Sequence, residues 1–402
     1  MDPAALRIFH VERFRVVHER SRGPVTGIAL AVRSGSRFDG ASPGMAHLAE
    51  HMLFQGTARR SHQGVNERAA ELGGDHDANT GYEDLNLTFQ VLNGDVAQAI
   101  ALIAEQVLSS TVPEDRLENE SQVVAQEIRG HREDAISYLC DETWSRFFAG
   151  GLSWPPSGTL GSVRRIRAPQ VRRFLRERLV GSNMVLSVVG DVPTRELRRT
   201  IAREFRALPA GRPVRGNGAR IARSGEARFR RSGLSQLYMN RIYAVSPAPR
   251  PLVGLGMALE ILGTDPDGRL YHEVRERQGL SYDLWADLQV GAGWATMQVG
   301  AVAPRRAENR LQRAIADVFA RAAEDGFTDE EIARARRKVR YRYARLSEAK
   351  LDRAAAHAAS ALYGALSLAD AEEIVRTLTR REIEAAWQGA IRGRSLIGVL
   401  TG

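Results

Sequence analysis

His47-Leu48-Ala49-Glu50-His51 places two histidines four residues apart, with a glutamate beside the second. On a helix, positions 47 and 51 are one turn apart and share a face. Two neutral imidazoles presented that way can bind zinc, and the carboxylate beside them can take a proton from a zinc-activated water. The order is the reverse of the more familiar H-E-x-x-H. Catalytic zinc also needs a third protein ligand and an open fourth position. The segment opening at Pro113 reads as a helix that offers Glu120 and Glu127 on one face. Val123 and Val124 lie between them, so that helix is expected to pack against a core. His131, one turn past Glu127, is a rival ligand. Residue type and spacing alone do not choose among Glu120, Glu127 and His131.

The elements that position these residues follow from local pattern. Gly27 to Val32 is an apolar strand. Ser42 is placed to cap the next helix, Pro43 suits its first position and Gly56 its stop, which gives a helix over 45–55. A second helix runs from about Gln63 to Leu72 and ends at Gly73-Gly74. Leu85 to Val91 alternates as a strand. Helices follow from Val96 to Leu108, Pro113 to about Gly130, Asp134 to Phe148, Pro169 to Leu179 and Thr194 to Phe205, with a buried strand at 184–189. Pro209 to Gly218 carries Gly, Pro and Arg without apolar periodicity and reads as a linker. The second half repeats the style and closes on a strand at 396–400. The expected organisation is two similar α+β domains, residues 1–208 and 219–402 around a linker at 209–218.

Composition sets the class. The chain has 402 residues, 43% hydrophobic and 26% charged, which excludes wholesale disorder. A single cysteine, Cys140, excludes an intrachain disulfide and a Cys-based zinc knuckle, and fits a reducing, cytoplasmic setting. Cys140 and the tryptophans 144, 154, 285, 294 and 387 are expected to pack in cores. The net charge is +9, and all but Lys338 and Lys350 of the 57 basic residues are arginine, a skew that reads as GC-rich bacterial coding. Met1 to Val17 lacks a signal-peptide core, and its acidic Asp2 and Glu12 argue against a transit peptide. No stretch reaches the roughly 18 apolar residues of a membrane span. Arg334 to Arg345 is a basic helix with interleaved aromatics, read as a solvated face and not as a nucleic-acid surface.

The segment Gly44-Met-Ala-His-Leu-Ala-Glu-His-Met-Leu-Phe-Gln-Gly-Thr57 resembles the signature helix of the inverzincin metallopeptidases, the family of pitrilysin, insulin-degrading enzyme and the mitochondrial processing peptidase. The resemblance implies that His47 and His51 bind zinc, that Glu50 is the catalytic base, and that Glu127 is the third ligand. It gives Glu120 a supporting role at the zinc site and returns His131 to an ordinary helix-end histidine. Gly158 to Gly161 and Asn183 to Asp191 also look like family segments. Gly268 to Tyr282 is similar to the family's Arg/Tyr segment, in which an arginine and a tyrosine act on the substrate. Arg275 and Tyr282 match it, for holding a peptide carbonyl and a developing oxyanion. The family's substrate-binding edge strand corresponds to Asp77-Ala78-Asn79-Thr80, and Phe54 after the zinc helix is counted with the substrate-binding residues. Here the family's usual Asn-Ala-aromatic-Thr is changed at Asp77 and Asn79. An added carboxylate at that edge favours basic substrate residues.

The implied protein is a zinc endopeptidase with one Zn2+ per chain, processing-peptidase-like in fold. It would cleave unfolded peptides or leader segments inside a chamber formed by a dimer. A homodimer is expected first, with a heterodimer that includes a zinc-less sister subunit as the second arrangement. Neither nucleic acid nor a membrane is an expected partner. The competing class is a non-catalytic scaffold, like the respiratory-complex core subunits that resemble this family.

Overall fold

The computed structural model describes residues 6–11, 14–216 and 218–402. Asp2 and Glu12 of the N-terminal reading, and Asn217 of the expected linker, lie outside the described residues. In chain order the first half forms β1 (Leu6–Val11), β2 (Phe14–Arg20), β3 (Val25–Val32), α1 (Met45–Met52), α2 (His62–Glu71), β4 (Asp75–Thr80) and β5 (Leu85–Leu92). It continues through α3 (Val96–Ser109), α4 (Glu114–Glu133), α5 (Ala135–Phe147), β6 (Phe148–Ala149), α6 (Leu160–Val163), α7 (Ala168–Arg178), β7 (Met184–Gly190) and α8 (Thr194–Glu204). The second half forms β8 (Arg220–Ile221), β9 (Gly225–Arg230), β10 (Gln236–Val245), α9 (Pro249–Leu262), a π-helical segment (Tyr271–Arg277), β11 (Leu284–Gly291) and β12 (Trp294–Pro304). It ends with α10 (Glu308–Glu324), α11 (Asp329–Glu348), α12 (Lys350–Tyr363), α13 (Leu368–Thr377), α14 (Arg380–Arg392) and β13 (Ser395–Thr401).

Two α+β units result. The first holds a six-stranded sheet in the order β1-β2-β7-β3-β5-β4, antiparallel except where β2 runs parallel to β7. The second holds a five-stranded sheet in the order β11-β12-β10-β13-β9, antiparallel except for β13 beside β9. Strands β3 and β7 are mostly apolar and are buried nearly along their whole length, because both faces of their sheet are covered. One face packs on the core shared with α1, α3, α4, α7 and α8. On the other, Val17, Ala29, Ala31, Val185 and Val189 meet Ala354 and Ala358 of α12.

That last contact shows that the units are not continuous halves of the chain. Residues 346–367 belong to the first unit and residues 131–153 to the second. The expected boundaries, 1–208 and 219–402, misplace both segments. The physical reason is a matched pair of small-residue seats. A Cβ on Gly27 in β3 would stand 2.6 Å from the Leu351 amide nitrogen of α12, and one on Gly398 in β13 would collide with Thr143 of α5. Polar bonds then fix α12 in place. Arg353 and His357 both bond the buried Glu19 of β2, at 2.7 and 2.8 Å, and Lys350 Nζ donates to the Ser21 and Val25 carbonyls. A buried carboxylate needs such partners. Its pKa is held below the usual range because the bonds and charges of His357 and Arg353 outweigh burial, which alone would raise it.

Local expectations hold with instructive exceptions. Ser42 does not cap α1. The helix starts at Gly44 in the left-handed region (φ 89°), and the carboxylate of the buried Asp39 accepts from Gly44 N at 2.7 Å and Ala46 N at 2.9 Å. Asp39 thus satisfies amides that the first turn leaves without partners. α1 also ends at Met52, not at Gln55, and the carbonyls of its last residue and of the one after it accept from side chains. Ser110 Oγ donates to Met52 O and Gln106 Nε2 to Leu53 O. The expected linker is strapped down: Gly181 N and Ser182 N donate to the Pro209 and Ala210 carbonyls, and Gly211 sits against Val180. Trp144, Trp294 and Trp387 are buried, but Trp154 is exposed, as is Val123, whose neighbour Val124 alone faces the core. Burial pushes the Cys140 thiol up to about 12, which fits an inert packing residue.

Two stability measurements check this fold. Gly27→Val forces α12 off its seat and is expected to cost about 1–3 kcal/mol in urea unfolding, the usual range for overpacking. Burial, aided by Arg7 and Arg20, lowers the His18 pKa to about 4, so the unfolded chain binds a proton there before the folded one does. Stability should therefore fall as pH drops from about 6.5 toward 4, and His18→Gln should make that fall shallower.

Candidate metal centre

The site begins with how α1 is buried. Ala46, Leu48, Ala49 and Met52 point into the core, which leaves His47 and His51 on the remaining arc, one turn apart. Their rings stand 4.8 Å apart and nearly perpendicular. The seat of α1 depends on close backbone approach. Gly44 and Gly158 both have positive φ, and a Cβ on Gly158 would collide with the Pro43 carbonyl. Ser162 Oγ donates to that carbonyl at 2.6 Å. The 158–161 segment singled out in the sequence therefore helps to seat the start of α1.

Helix α4 supplies the rest. Leu117, Val124 and Ile128 anchor it in the same core. Arg116 Nε donates to Gln55 Oε1 at 2.8 Å, which ties its first turn to the chain just past α1. Glu127 Oε2 lies 3.9 Å from His47 Nε2 and 3.8 Å from His51 Nε2. Glu120 Oε2 lies 2.9 Å from His51 Nδ1. The two carboxylates left open by spacing alone thus take different positions, Glu127 at the outward Nε2 atoms and Glu120 behind His51. His131 pairs with Asp141 in the second unit and is not a ligand here.

The donor set fits zinc. Single atoms from His47, His51 and Glu127 all lie within 4.8 Å of one another. Tetrahedral zinc with bonds near 2.05 Å sets its ligand atoms about 3.3 Å apart, so small side-chain shifts close the set. Two imidazoles and a carboxylate also suit zinc by ligand type. Glu120 holds His51 Nδ1 and leaves Nε2 to point at the metal position, the usual role of a residue behind a metal ligand. His47 has no such support: its buried Nδ1 has no hydrogen-bond partner among the described residues. Burial, with His51 nearby, lowers the His47 pKa to about 4, so its imidazole is neutral near pH 7. For His51 burial acts the same way, but the Glu120 bond and the charges of Glu50, Glu127 and Glu120 outweigh it and raise its pKa.

Glu50 is buried beside the histidines. Burial raises its pKa, and the hydrogen bond from Thr80 partly opposes the rise. Thr80 Oγ1 donates to Glu50 Oε2 at 2.7 Å, and no hydrogen bond among the described residues takes Oε1. This role of Thr80 was not legible in the sequence, where Thr80 counts only as an edge-strand position. Strand β4, from Asp75 to Thr80, is the outermost strand of its sheet. Asp77, Ala78, Asn79 and Thr80 all lie on it. Phe54 is half-buried against the His76 ring, 5.0 Å between centroids, so it supports β4 from behind.

In the second unit, Arg275 and Tyr282 come together. The Arg275 guanidinium lies 3.9 Å from the Tyr282 ring centroid and 4.9 Å from that of Tyr271, and Nη1 donates to the Tyr282 carbonyl at 3.3 Å. Tyr282 is 75% exposed. Arg275 lies on the π-helical segment, an irregularity frequent at functional positions. On the basic helix, Arg334, Lys338 and Arg342 form ion pairs with Asp267, Asp265 and Glu260, so much of that face is neutralised locally. No helix among the described residues is long and apolar enough to cross a membrane.

Comparison with known proteins places these features. Residues 15–147 match the family model described as insulinase (peptidase family M16), and residues 165–339 match the peptidase M16 inactive domain. The chain is 30% identical over 357 residues to an uncharacterised zinc protease of Mycobacterium tuberculosis, covering 84% of this chain and 77% of the relative. It is 26% identical over 301 residues to an uncharacterised zinc protease of Streptomyces coelicolor, covering 73% of this chain and 66% of the relative. It is also 29% identical over 203 residues to the mitochondrial ubiquinol-cytochrome-c reductase core protein I of Euglena gracilis, over 50% of this chain and 41% of that one. Among solved structures, a peptidase M16 inactive domain from Pseudomonas fluorescens superimposes with a TM-score of 0.90 at 21% identity over 98% of both chains. A protease from Helicobacter pylori superimposes at 0.89 with 18% identity over 99% of both chains. These two support the fold.

The metal centre is checked by zinc affinity. Glu120→Gln should weaken zinc binding about 10- to 100-fold in a chelator competition. Glu127→Gln should lower the bound zinc well below one per chain. Circular dichroism should show the fold retained in both.

Proposed function

The chain belongs to peptidase family M16, the inverzincin type, and on that premise we propose that it is a zinc-dependent endopeptidase acting on flexible peptide segments. The observation that carries this reading is the convergence of His47, His51 and Glu127 next to a buried Glu50 and the free edge strand β4. Zinc bound by the three ligands supplies Lewis acidity that polarises a carbonyl and acidifies water.

The remaining work falls to the chain. Glu50, with Oε2 held by Thr80, takes the proton of the attacking water at Oε1 and returns it to the leaving amine. Its raised pKa suits a base that must also act as an acid. Glu120 keeps His51 in the tautomer and orientation that a ligand requires. β4 offers main-chain hydrogen bonds to a peptide that adds as a strand. Arg275 and Tyr282 hold the peptide and stabilise developing charge. The enzyme works as a dimer, a homodimer in the first instance, in the cytoplasm, on leader segments or unfolded peptides.

A second reading, a non-catalytic subunit, is favoured by the likeness to a respiratory-complex core protein. The complete ligand set and the bonded Glu50 weigh against it.

Cleavage of quenched peptides by the purified chain separates the two. Chelator-sensitive hydrolysis is expected. Glu50→Gln should lose about 10²- to 10⁴-fold in kcat, the usual worth of a general base, with zinc content unchanged. Neither bound zinc nor cleavage would favour the non-catalytic reading, whereas stoichiometric zinc without cleavage by the chain alone would point to the heterodimer.

A further inference from the structure

Hairpin β4–β5 has a readable hydrogen-bond phase. Gly81 N donates to Asp84 O at 2.8 Å, so that pair closes the ladder at the turn. In antiparallel strands, bonded and non-bonded pairs alternate. With Asn79 opposite Asn86, Asp77 opposite Thr88 and Asp75 opposite Gln90, those three residues bond to β5. Ala78 and Thr80 therefore turn their backbone N–H groups to the open edge. The Ala78 N–H is already taken: Asp77 Oδ1 accepts it at 2.8 Å. Any strand added to this edge must displace that carboxylate.

The surroundings say which strand can do so. Asp75, Asp77 and Asn79 form the exposed face of β4, and Asn86, Thr88 and Gln90 stand opposite them. No cation pairs with Asp75 or Asp77 among the described residues, in a chain whose net charge is +9. Two residues past Ala78, Thr80 holds Glu50, so a strand paired at Ala78 runs past the catalytic carboxylate.

We propose that Asp77 is a displaceable cap on the substrate edge and selects peptides with a lysine or arginine at the position facing it. This rests on the endopeptidase reading and names its substrate class. A peptide carbonyl takes the Ala78 N–H, and the released carboxylate pairs with the basic side chain. A neutral peptide also breaks the capping bond but gives the carboxylate no partner in return.

The test measures binding and cleavage separately, with a matched pair of quenched peptides, one carrying lysine and one carrying glutamine at the same position. Binding is read by anisotropy on zinc-loaded Glu50→Gln, with and without a second change at Asp77. The lysine peptide should bind more tightly. Asp77→Asn, which keeps an oxygen for Ala78 N–H, should shrink the lysine-to-glutamine ratio about fivefold, the ~1 kcal/mol upper value of an exposed ion pair. The ratio should also shrink in high salt. Asp77→Ala should lose the ratio and, with the edge uncapped, bind the glutamine peptide more tightly than Asp77→Asn does. An unchanged ratio in Asp77→Asn, or no binding of either peptide, overturns the proposal. Binding with the expected ratios but no cleavage by the unaltered chain would instead overturn the endopeptidase reading and leave this one standing.

Discussion

The bond between His51 Nδ1 and Glu120 Oε2 is the contact on which the site depends. It joins α1 to α4 at a direct hydrogen bond to the His51 ring, and it leaves Nε2 of His51 as the nitrogen that faces Glu127. Glu127 follows from it: once Glu120 is fixed, the residue two turns later on the same face of α4 is carried to the His47 and His51 Nε2 atoms. The bond is worth little if either helix can slide. The structure prevents sliding by burying α1 on Ala46, Leu48, Ala49 and Met52, and α4 on Leu117, Val124 and Ile128. Both ends of α1 are then closed, by Asp39 at the start and by Ser110 and Gln106 beyond its last turn.

The buried Glu50 is tied to the edge strand β4 by a single hydroxyl. Thr80 ends β4 and bonds Glu50, so the strand that would receive a peptide also sets the orientation of the base. In the proposed function, substrate register and proton transfer would be coupled through that one side chain. Such coupling is the kind of positioning from which enzymes draw much of their rate. The same strand carries little apolar surface, with Asp75, Asp77 and Asn79 all exposed. Its free N–H groups are guarded by charge and by the Asp77 cap, both recognised ways to protect an exposed edge.

Much of this was legible in advance. Most helices and strands read from periodicity lie where expected, because apolar spacing is a local property of the chain. The residues that the family resemblance singled out come together in space, Glu120 at His51 Nδ1 and Glu127 near the Nε2 atoms of both histidines. What local reading missed has a common cause. Ser42 has the right type and position for a cap, yet Asp39 does the work because the turn before α1 brings its carboxylate back onto the helix. Residues 209–216 lack periodicity, yet the Pro209 and Ala210 carbonyls are strapped to Gly181 and Ser182 by main-chain bonds that have no sequence signature.

The sequence by itself determined the candidate groups: the two imidazoles and carboxylate on one turn of α1, the acidic face of α4, and the unusual Asp77. These depend on residue type and helical or strand period, which a chain carries wherever it folds. Spacing alone left Glu120 and Glu127 equivalent, and the tertiary structure sets Glu120 at His51 Nδ1 and Glu127 toward the Nε2 atoms; it alone decided that Thr80 holds Glu50. It also decided that α5 and α12 each join the unit formed mainly by the other half of the chain. Those outcomes turn on close approach between segments far apart in sequence. Gly27 beneath α12 and Gly398 beneath α5 allow it, and the buried Glu19 with Arg353 and His357 secures it at α12. No local pattern records such an approach, because its energy exists only once both surfaces are in place.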